Sequence, residues 1–450
     1  MASGRAKRRE VYGTENSWCR AVPGGTGVTV LCLLLKTAPD ISALQTALHT
    51  VQKDHPILRS KLQLHPTPSF RIPPSSSLVI QSYDLDSTAQ IIGLGSGPPF
   101  QIILEHQMNL NPWTETESDV MEASAYEIGE GRWTVVIKLH TAACDRTSAL
   151  QVMRELLINI NSNSNSSSSS SNKSDEERLS LGIEEYVPTS LGSKPFWARG
   201  IDMLGYSLNS FRFSNLPFVH PASQRSSRVA RLFLDSRHTS LLLQGCKTRG
   251  IKLCGALSAA GLIAARLSKG LSNGEWEKYA VVTLIDCRKL LQPPLSNHHV
   301  GFYHSAILNT HDIQGGEELW GLARRTYKSF EDAKKSNKHF SDMADLNFLM
   351  CRAIENPGLT PSSSLRTSFI SVFEDPVIDE TNDKYEEVGI DDYMGCASVH
   401  GVGPSVALFD TIRDGKLDCA CVYPFPLHST EQMQGLVDNM KKILIDCLSS

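Results

Sequence analysis

The sequence lacks any apolar run long enough to cross a membrane. The longest run, Val28 to Leu35, is far shorter than the roughly 20 residues that a spanning helix needs. The N-terminal residues are polar and contain no apolar core of a signal peptide. The sequence also has no large excess of either charge, because the formal net charge is only −4 at pH 7. No global electrostatic field therefore favours the binding of a polyanion. We therefore expect a cytoplasmic protein that binds neither membranes nor nucleic acid.

Closely spaced cysteines are scarce as well. The eleven cysteines are scattered, and Cys419 and Cys421 form the one close pair. Alternate residues of a strand point to the same side, so this pair has a spacing that suits a metal ion. No second Cys/His pair with ligand spacing accompanies it, so we favour two small core residues. Reduced thiols, no resident metal and an intracellular protein are the expectation.

The chain is too long for one ordinary hydrophobic core. At 450 residues, with 41% apolar and 20% charged residues, it predicts two globular domains. Strands and helices of mixed order, repeated in two halves, predict an α+β fold. We place a first domain at residues 1–190, a crossover at 191–226 and a second domain at 227–450. A Ser/Asn-rich stretch at 161–174 predicts a disordered insert on the rim of the first domain.

The spacing of apolar residues changes halfway between residues 133 and 160. Up to His140 the apolar residues alternate as in a strand, and after Asp145 they follow the spacing of one helix face. Four small residues lie between the two patterns. His140 therefore ends a strand, and Asp145 is the natural N-cap of a helix. An imidazole at a strand end beside a carboxylate is a candidate general base.

Each of these residues also has a structural interpretation. Among fourteen histidines, about one is expected by chance to lie near an aspartate in this way. His140 is then a core histidine, and Asp145 is only a helix cap. His298, His299 and His304 cluster near Gly301 with no carboxylate spaced for a metal, so we expect loop histidines there.

The segment from Leu139 to Ser148 resembles a motif of the CoA-dependent acyltransferases. That superfamily includes chloramphenicol acetyltransferase, plant BAHD enzymes and peptide-synthetase condensation domains, and its motif is H-x-x-x-D, often HHxxxDGxS. Further similarities extend over most of the chain: His55–Arg59 to an HPxLR turn, the segment after Gly250 to the GxTxxxxLxAA helix, and Ile285–Arg288 to an N-x-R strand end. Condensation-like alcohol acyltransferases look nearest.

This resemblance implies both a fold and an activity. The fold is two chloramphenicol-acetyltransferase-like α/β sandwich subdomains with an interdomain tunnel. The activity is transfer of an acyl group from an acyl-CoA or acyl-carrier thioester to a hydroxyl or amine, with no bound cofactor. His140 is implied as general base with its ring facing the tunnel, and Asp145 as the partner of Arg288 in holding the loop. Ser148 is a candidate oxyanion donor. We expect a monomer whose ligands are the thioester and a small-molecule acceptor.

The sequence departs from the motif at two positions. Aligned without a gap, His140 matches the first histidine, and Thr141 occupies the place of the second, catalytic one. Arg146 replaces the glycine after the aspartate. No Asp-Phe-Gly-Trp-Gly segment occurs near the C-terminus. An alternative hypothesis is therefore a protein of the same fold without acyl-transfer activity, which binds a metabolite, acyl carrier or protein partner in the same cleft.

Overall fold

The computed structural model describes residues 6–95, 97–114, 117–162, 180–192, 213–359, 364–380 and 382–448. The insert predicted at 161–174 lies outside these ranges from residue 163 onward. Most of the crossover predicted at 191–226 lies outside them too. Within the described ranges, no individual helix has the length and apolarity of a membrane span. One pair of helices that is bent by 105°, Ser236–Thr248 with Leu253–Leu267, meets the criterion only jointly.

The described strands and helices alternate irregularly along the chain. The strands are β1 Lys7–Glu10, β2 Thr26–Leu35, β3 Lys61–Gln63, β4 Ser69–Ile72, β5 Gln81–Tyr83, β6 Glu117–Asp119, β7 Met121–Gly129, β8 Arg132–His140, β9 Ser226–Leu234, β10 Glu277–Asp286, β11 His304–Ile313, β12 Arg366–Phe373, β13 Val377–Asp379, β14 Ile390–Val399, β15 Gly403–Arg413 and β16 Lys416–Phe425. The helices are α1 Gly13–Ala21, α2 Ile41–Asp54, α3 Leu85–Ile92, α4 Pro99–Asn109, α5 Arg146–Ser162, α6 Thr189–Gly192, α7 Ser236–Thr248, α8 Leu253–Leu267, α9 Leu319–Lys335, α10 Lys338–Ser341, α11 Met343–Glu355, α12 Asn382–Val388 and α13 Thr430–Asp446.

The first half is built on a five-stranded sheet in the order β14-β2-β8-β7-β5. Its central strands, β2 and β8, are antiparallel, with Val28 opposite His140. Apolar side chains of β8 at Val135, Ile137 and Leu139 point to the core beneath α2 and α5. The alternate side chains point to the opposite face, as the period of a strand requires. A separate small sheet in the order β1-β4-β3-β6 lies beside this half.

The second half is built on a mixed sheet in the order β11-β10-β12-β15-β16-β9, with β13 paired to β15. Helices α8, α9 and α13 cover it and form the largest core cluster. Small residues on α8 permit close packing: a Cβ added at Gly261 would lie 2.7 Å from Ile370 Cδ1 on β12. Cys419 and Cys421 are buried in β16. Both side chains belong to the core cluster of the second sheet, which favours the core interpretation of the pair.

The two halves share a strand and a core. β14 comes from the second half of the sequence, yet it pairs antiparallel with β2 in the sheet of the first half. A further core cluster combines Val28 and Val30 of β2 with Val229, Ala407 and Val422 of the second sheet. The α+β fold with two subdomains is confirmed. A cut of the chain near residue 227 does not separate the two sheets, because β14 crosses back.

Candidate active site at the start of helix α5

The start of α5 is set by local sequence. β8 ends at His140, a 3-10 turn spans Thr141–Ala143, and α5 begins at Arg146. The Asp145 carboxylate accepts a hydrogen bond from the backbone N–H of Ser148 at 2.8 Å, which satisfies one of the free donors of the first helical turn. The strand end and the N-cap are therefore as the sequence predicts.

Asp145 forms the centre of a buried polar cluster. Its Oδ1 lies 3.0 Å from Arg288 Nη2, and its Oδ2 accepts the Tyr303 N–H at 2.8 Å and lies 2.9 Å from His304 Nδ1. Burial alone would raise the pKa of Asp145, but the charge of Arg288 and contact with His304 lower that pKa well below its ordinary value. We call the cluster of Asp145, Ser148, Arg288 and His304 the α5 junction.

The α5 junction ties the two halves of the molecule together. Arg288 lies two residues after the end of β10 of the second sheet, and Asp145 precedes the helix that covers the first sheet. The guanidinium also donates to Asp286 Oδ1 at 3.0 Å and to the carbonyl of His299 at 3.2 Å. A buried charge is tolerated where it is paired and hydrogen-bonded. The Asp145–Arg288 pair that the resemblance implies is present, and its geometry is that of a loop-holding contact.

Ser148 is occupied by the same cluster. Its hydroxyl donates to the Gly301 carbonyl at 2.9 Å, and it accepts from Arg288 Nη2 at 2.8 Å and from the Gly301 N–H at 3.0 Å. A hydroxyl has one donor and two acceptor positions, so all of them are used. The oxyanion role that the sequence analysis assigns to Ser148 is not supported, since no hydrogen is left to donate.

The ring of His140 does not face a tunnel. The residue has no exposed surface, and its ring packs at 85° against Trp113 with centroids 5.0 Å apart. Burial lowers the pKa of His140 to about 3, so the imidazole is neutral near pH 7. Its Nδ1 accepts the Ala142 N–H at 3.1 Å, which puts the proton on Nε2. Neither nitrogen then offers a free lone pair, and the geometry does not support His140 as a general base.

Thr141, in the catalytic place of the motif, is held by the backbone of β2. Its hydroxyl donates to the Gly27 carbonyl at 2.6 Å and lies 2.8 Å from the Thr29 hydroxyl. A threonine hydroxyl near physiological pH is not a base, and here it is already hydrogen-bonded. Thr141 therefore contributes shape rather than proton transfer at this position.

Sequence reasoning missed His304. It was expected in a loop, but it is the first residue of β11, paired in register with Asp286 of β10, and it is buried. Its contact with Asp145 joins positions that are far apart in the chain, so local spacing gives no sign of it. The sequence signal that could have identified it is the position of His304, which follows Gly301 and stands at the start of the alternating pattern of a strand.

Aromatic side chains pack beside His304, and two of them, Phe302 and Phe373, are themselves buried. The ring centroid of Phe373 lies 5.8 Å from that of His304, and the centroid of Phe302 lies 6.3 Å away. Trp18 contacts Phe302 at 5.3 Å and also lies against Gly27, next to the Thr141 hydroxyl. We call Trp18, Phe302 and Phe373 the aromatic wall. It connects the catalytic place of the motif with His304.

The interdomain tunnel stays a prediction. A cavity of about 130 Å³ in the first half is lined by Gln52, Arg59, Asp119, Met121 and Glu122 among others, and neither His140 nor His304 lines it.

Further along the aromatic wall, Arg146 lies over the Phe373 ring at 4.1 Å and pairs with Asp410 at 3.2 Å. Burial raises the pKa of the Asp410 carboxyl, and Arg146 opposes that effect.

Two searches of known sequences give no relative: no family model matches this chain, and no curated protein matches it. Solved structures do match. The fold is that of an acetyltransferase and of several condensation domains of known structure. TRI3 trichothecene 15-O-acetyltransferase from Fusarium sporotrichioides has a TM-score of 0.72 at 12% identity, over 99% of this chain and 96% of that one. Polyketide synthase associated protein 5 from Mycobacterium tuberculosis has a TM-score of 0.66 at 14% identity, over 98% of both chains.

Peptide-synthetase domains show the same likeness. The first condensation domain of the calcium-dependent antibiotic synthetase has a TM-score of 0.66 at 12% identity, over 99% of this chain and 97% of that one. The resemblance stated from the sequence is thus confirmed at the level of the fold. At such low identity the likeness carries the architecture alone, because one fold hosts many activities.

Proposed function

We propose that the protein transfers an acyl group from a CoA or carrier-protein thioester to a hydroxyl or amine of a small molecule. The reaction takes place at the α5 junction, between the two halves of a monomer, and needs no resident cofactor. The observation that carries the proposal is the buried ion pair of Asp145 and Arg288, whose charged atoms lie 3.0 Å apart. Arg288 follows the end of β10, and the neighbouring strand β11 presents His304 to the same carboxylate. The acetyltransferase among the structural neighbours supports this class of reaction.

Acyl transfer needs little from a protein beyond placement and one proton acceptor. The acceptor attacks the thioester carbonyl, and a nearby base removes its proton. Positioning of the two reactants then supplies a large part of the rate. The α5 junction offers a rigid frame for this, because its hydrogen bonds are buried and tie the two sheets together.

A second candidate function is binding without acyl transfer. The observation in its favour is the pair of changes at the motif: His140 is fully buried, and Thr141 stands where the family has its catalytic histidine. The protein then binds a metabolite, an acyl carrier or a protein partner in the same cleft and leaves it unchanged. The two candidates differ in one measurable respect, the release of a free thiol.

The test is a thiol-release assay on the purified protein. Acyl-pantetheine and acyl-CoA thioesters of several chain lengths are incubated with pooled hydroxyl and amine acceptors, and free thiol is followed with a colorimetric disulfide. We expect release that depends on both protein and acceptor, together with an acceptor product heavier by one acyl group in mass spectrometry. Binding of the thioesters with no thiol release would support the second candidate and contradict the first.

A further inference from the structure

His304 has one nitrogen beside a carboxylate and the other free. Its Nδ1 lies 2.9 Å from Asp145 Oδ2, at ion-pair distance but outside the angle of a hydrogen bond. Its Nε2 has no partner among the described residues, and it is not one of the nitrogens buried from solvent. A histidine that is oriented by a carboxylate through one nitrogen presents the other to a substrate.

The carboxylate decides which nitrogen of His304 carries the proton. Arg288 and two backbone N–H groups bind Asp145 in its ionised form, and an ionised carboxylate only accepts hydrogen bonds. The proton of the neutral imidazole is therefore drawn to Nδ1, and the lone pair remains on Nε2. A poorly aligned contact of this kind commonly tightens only when substrate binds.

His140 has the opposite arrangement. There a backbone N–H points at Nδ1, so the proton sits on the inaccessible Nε2. The exposed fractions agree with this contrast: His140 has none, whereas His304 retains 5% and Thr141 6%. The small exposed surface at this place therefore belongs to Thr141 and His304, and none of it to His140.

We propose that His304 is the general base of the acyl transfer, a role that rests on the function proposed above, and that Asp145 positions its ring. Nε2 takes the proton of the acceptor hydroxyl or amine while the acceptor's lone pair forms a bond to the thioester carbonyl carbon. The tetrahedral intermediate collapses, and the carbon–sulfur bond breaks. The departing sulfur takes the proton from the imidazolium, which releases a free thiol and restores the neutral imidazole.

The aromatic wall indicates the class of acceptor. Phe302 and Phe373 flank His304, and Trp18 continues this cluster of rings towards Thr141. Flat or apolar surfaces pack well on such rings. We therefore expect an acceptor whose hydroxyl or amine is attached to an apolar or aromatic body, and we expect strongly charged acceptors to react poorly.

Variants of His304 in the thiol-release assay test the proposal. His304→Gln keeps a neutral polar side chain and removes the base, so kcat should fall roughly 10²–10⁴-fold with little change in KM. His304→Ala should fall similarly and regain part of its rate when free imidazole is added. His311→Gln is the matched control, because His311 lies on the same strand with the same 5% exposure and should keep activity within a few-fold. The loss of a residue with only a structural role would not lower kcat while leaving KM nearly unchanged.

The outcomes separate this inference from the proposed function. If the unmodified protein releases thiol and His304→Gln releases it at the same rate, His304 is not the general base, but the proposed acyl transfer is retained. A folded unmodified protein that releases no thiol from any thioester would remove both.

Chemical labelling tests the accessibility of the ring without any variant. Diethyl pyrocarbonate acylates the free nitrogen of a neutral, accessible histidine, and peptide mass spectrometry locates the label. We expect His304 to be labelled more slowly than the exposed His220 but measurably, to be protected by a bound thioester, and His140 to stay unlabelled. Labelling of His140 with none at His304 would contradict the proposal.

Discussion

The burial of His140 predicts a specific dependence of stability on pH. Its pKa is about 3 in the folded protein and 6.5 in an unfolded chain. Between these values the unfolded chain binds a proton that the folded ring does not. Stability through this group is therefore fully present above about pH 6.5 and is lost as the pH falls below that value.

The size of the effect follows from the two pKa values. At pH 5 the unfolded ring is almost fully protonated, and integration of the linkage relation gives a loss of about 2 kcal/mol relative to pH 8. His311, His339, His400 and His428 also have a pKa near 4 because of burial, so the whole protein should lose more than this. Only a comparison of variants isolates the share of His140.

Denaturant unfolding at pH 8 and pH 5 provides the assay. His140→Gln removes the titrating ring while its amide oxygen keeps an acceptor for the Ala142 N–H. Its free energy of unfolding should therefore fall about 2 kcal/mol less between the two pH values than that of the unmodified protein. His220→Gln, at an exposed position, should leave the difference unchanged. Equal pH dependence in His140→Gln and the unmodified protein would refute the buried, neutral ring.

Two further predictions concern the frame of the site. Arg288→Met should cost about 3–5 kcal/mol of unfolding free energy, because it leaves a buried carboxylate unpaired. Arg132→Met, which breaks an exposed ion pair, should cost at most about 1 kcal/mol, and equal losses would contradict the assigned burial. Gly27→Ala should cost about 2–4 kcal/mol, since φ is +96° and the new Cβ would lie 2.9 Å from the Trp18 ring. By contrast, Gly435→Ala on an exposed, uncrowded face of α13 should raise the free energy of unfolding by about 0.5–1 kcal/mol. Denaturant unfolding of each variant measures these changes.

Local patterns predict the elements around the site well. The alternation up to His140 and the helical spacing after Asp145 are recorded in side chains that are neighbours along the chain. The cap geometry of Asp145 also depends only on the next three residues. These features need no knowledge of the rest of the fold, so β8 and the start of α5 follow from the sequence.

Contacts between distant residues are predicted only where a family resemblance supplies them. The Asp145–Arg288 pair came from the resemblance, and the structure contains it. The contact of Asp145 with His304 belongs to no motif used above, and the burial of His140 depends on Trp113 packing against its ring. Both arise from how the sheets close on one another, which spacing along one strand does not record.

The return of β14 to the first sheet restricts how the molecule can move. Pulling the halves apart as rigid bodies would break a whole ladder of backbone hydrogen bonds between β14 and β2, so a wide hinge opening is disfavoured. Under the proposed function, the thioester and the acceptor would therefore enter the α5 junction, and the products would leave it, without separation of the two halves. It also follows that neither half can complete its sheet when it is expressed alone. The first half would expose the unpaired edge of β2, and in the second half β14 would lack its partner strand.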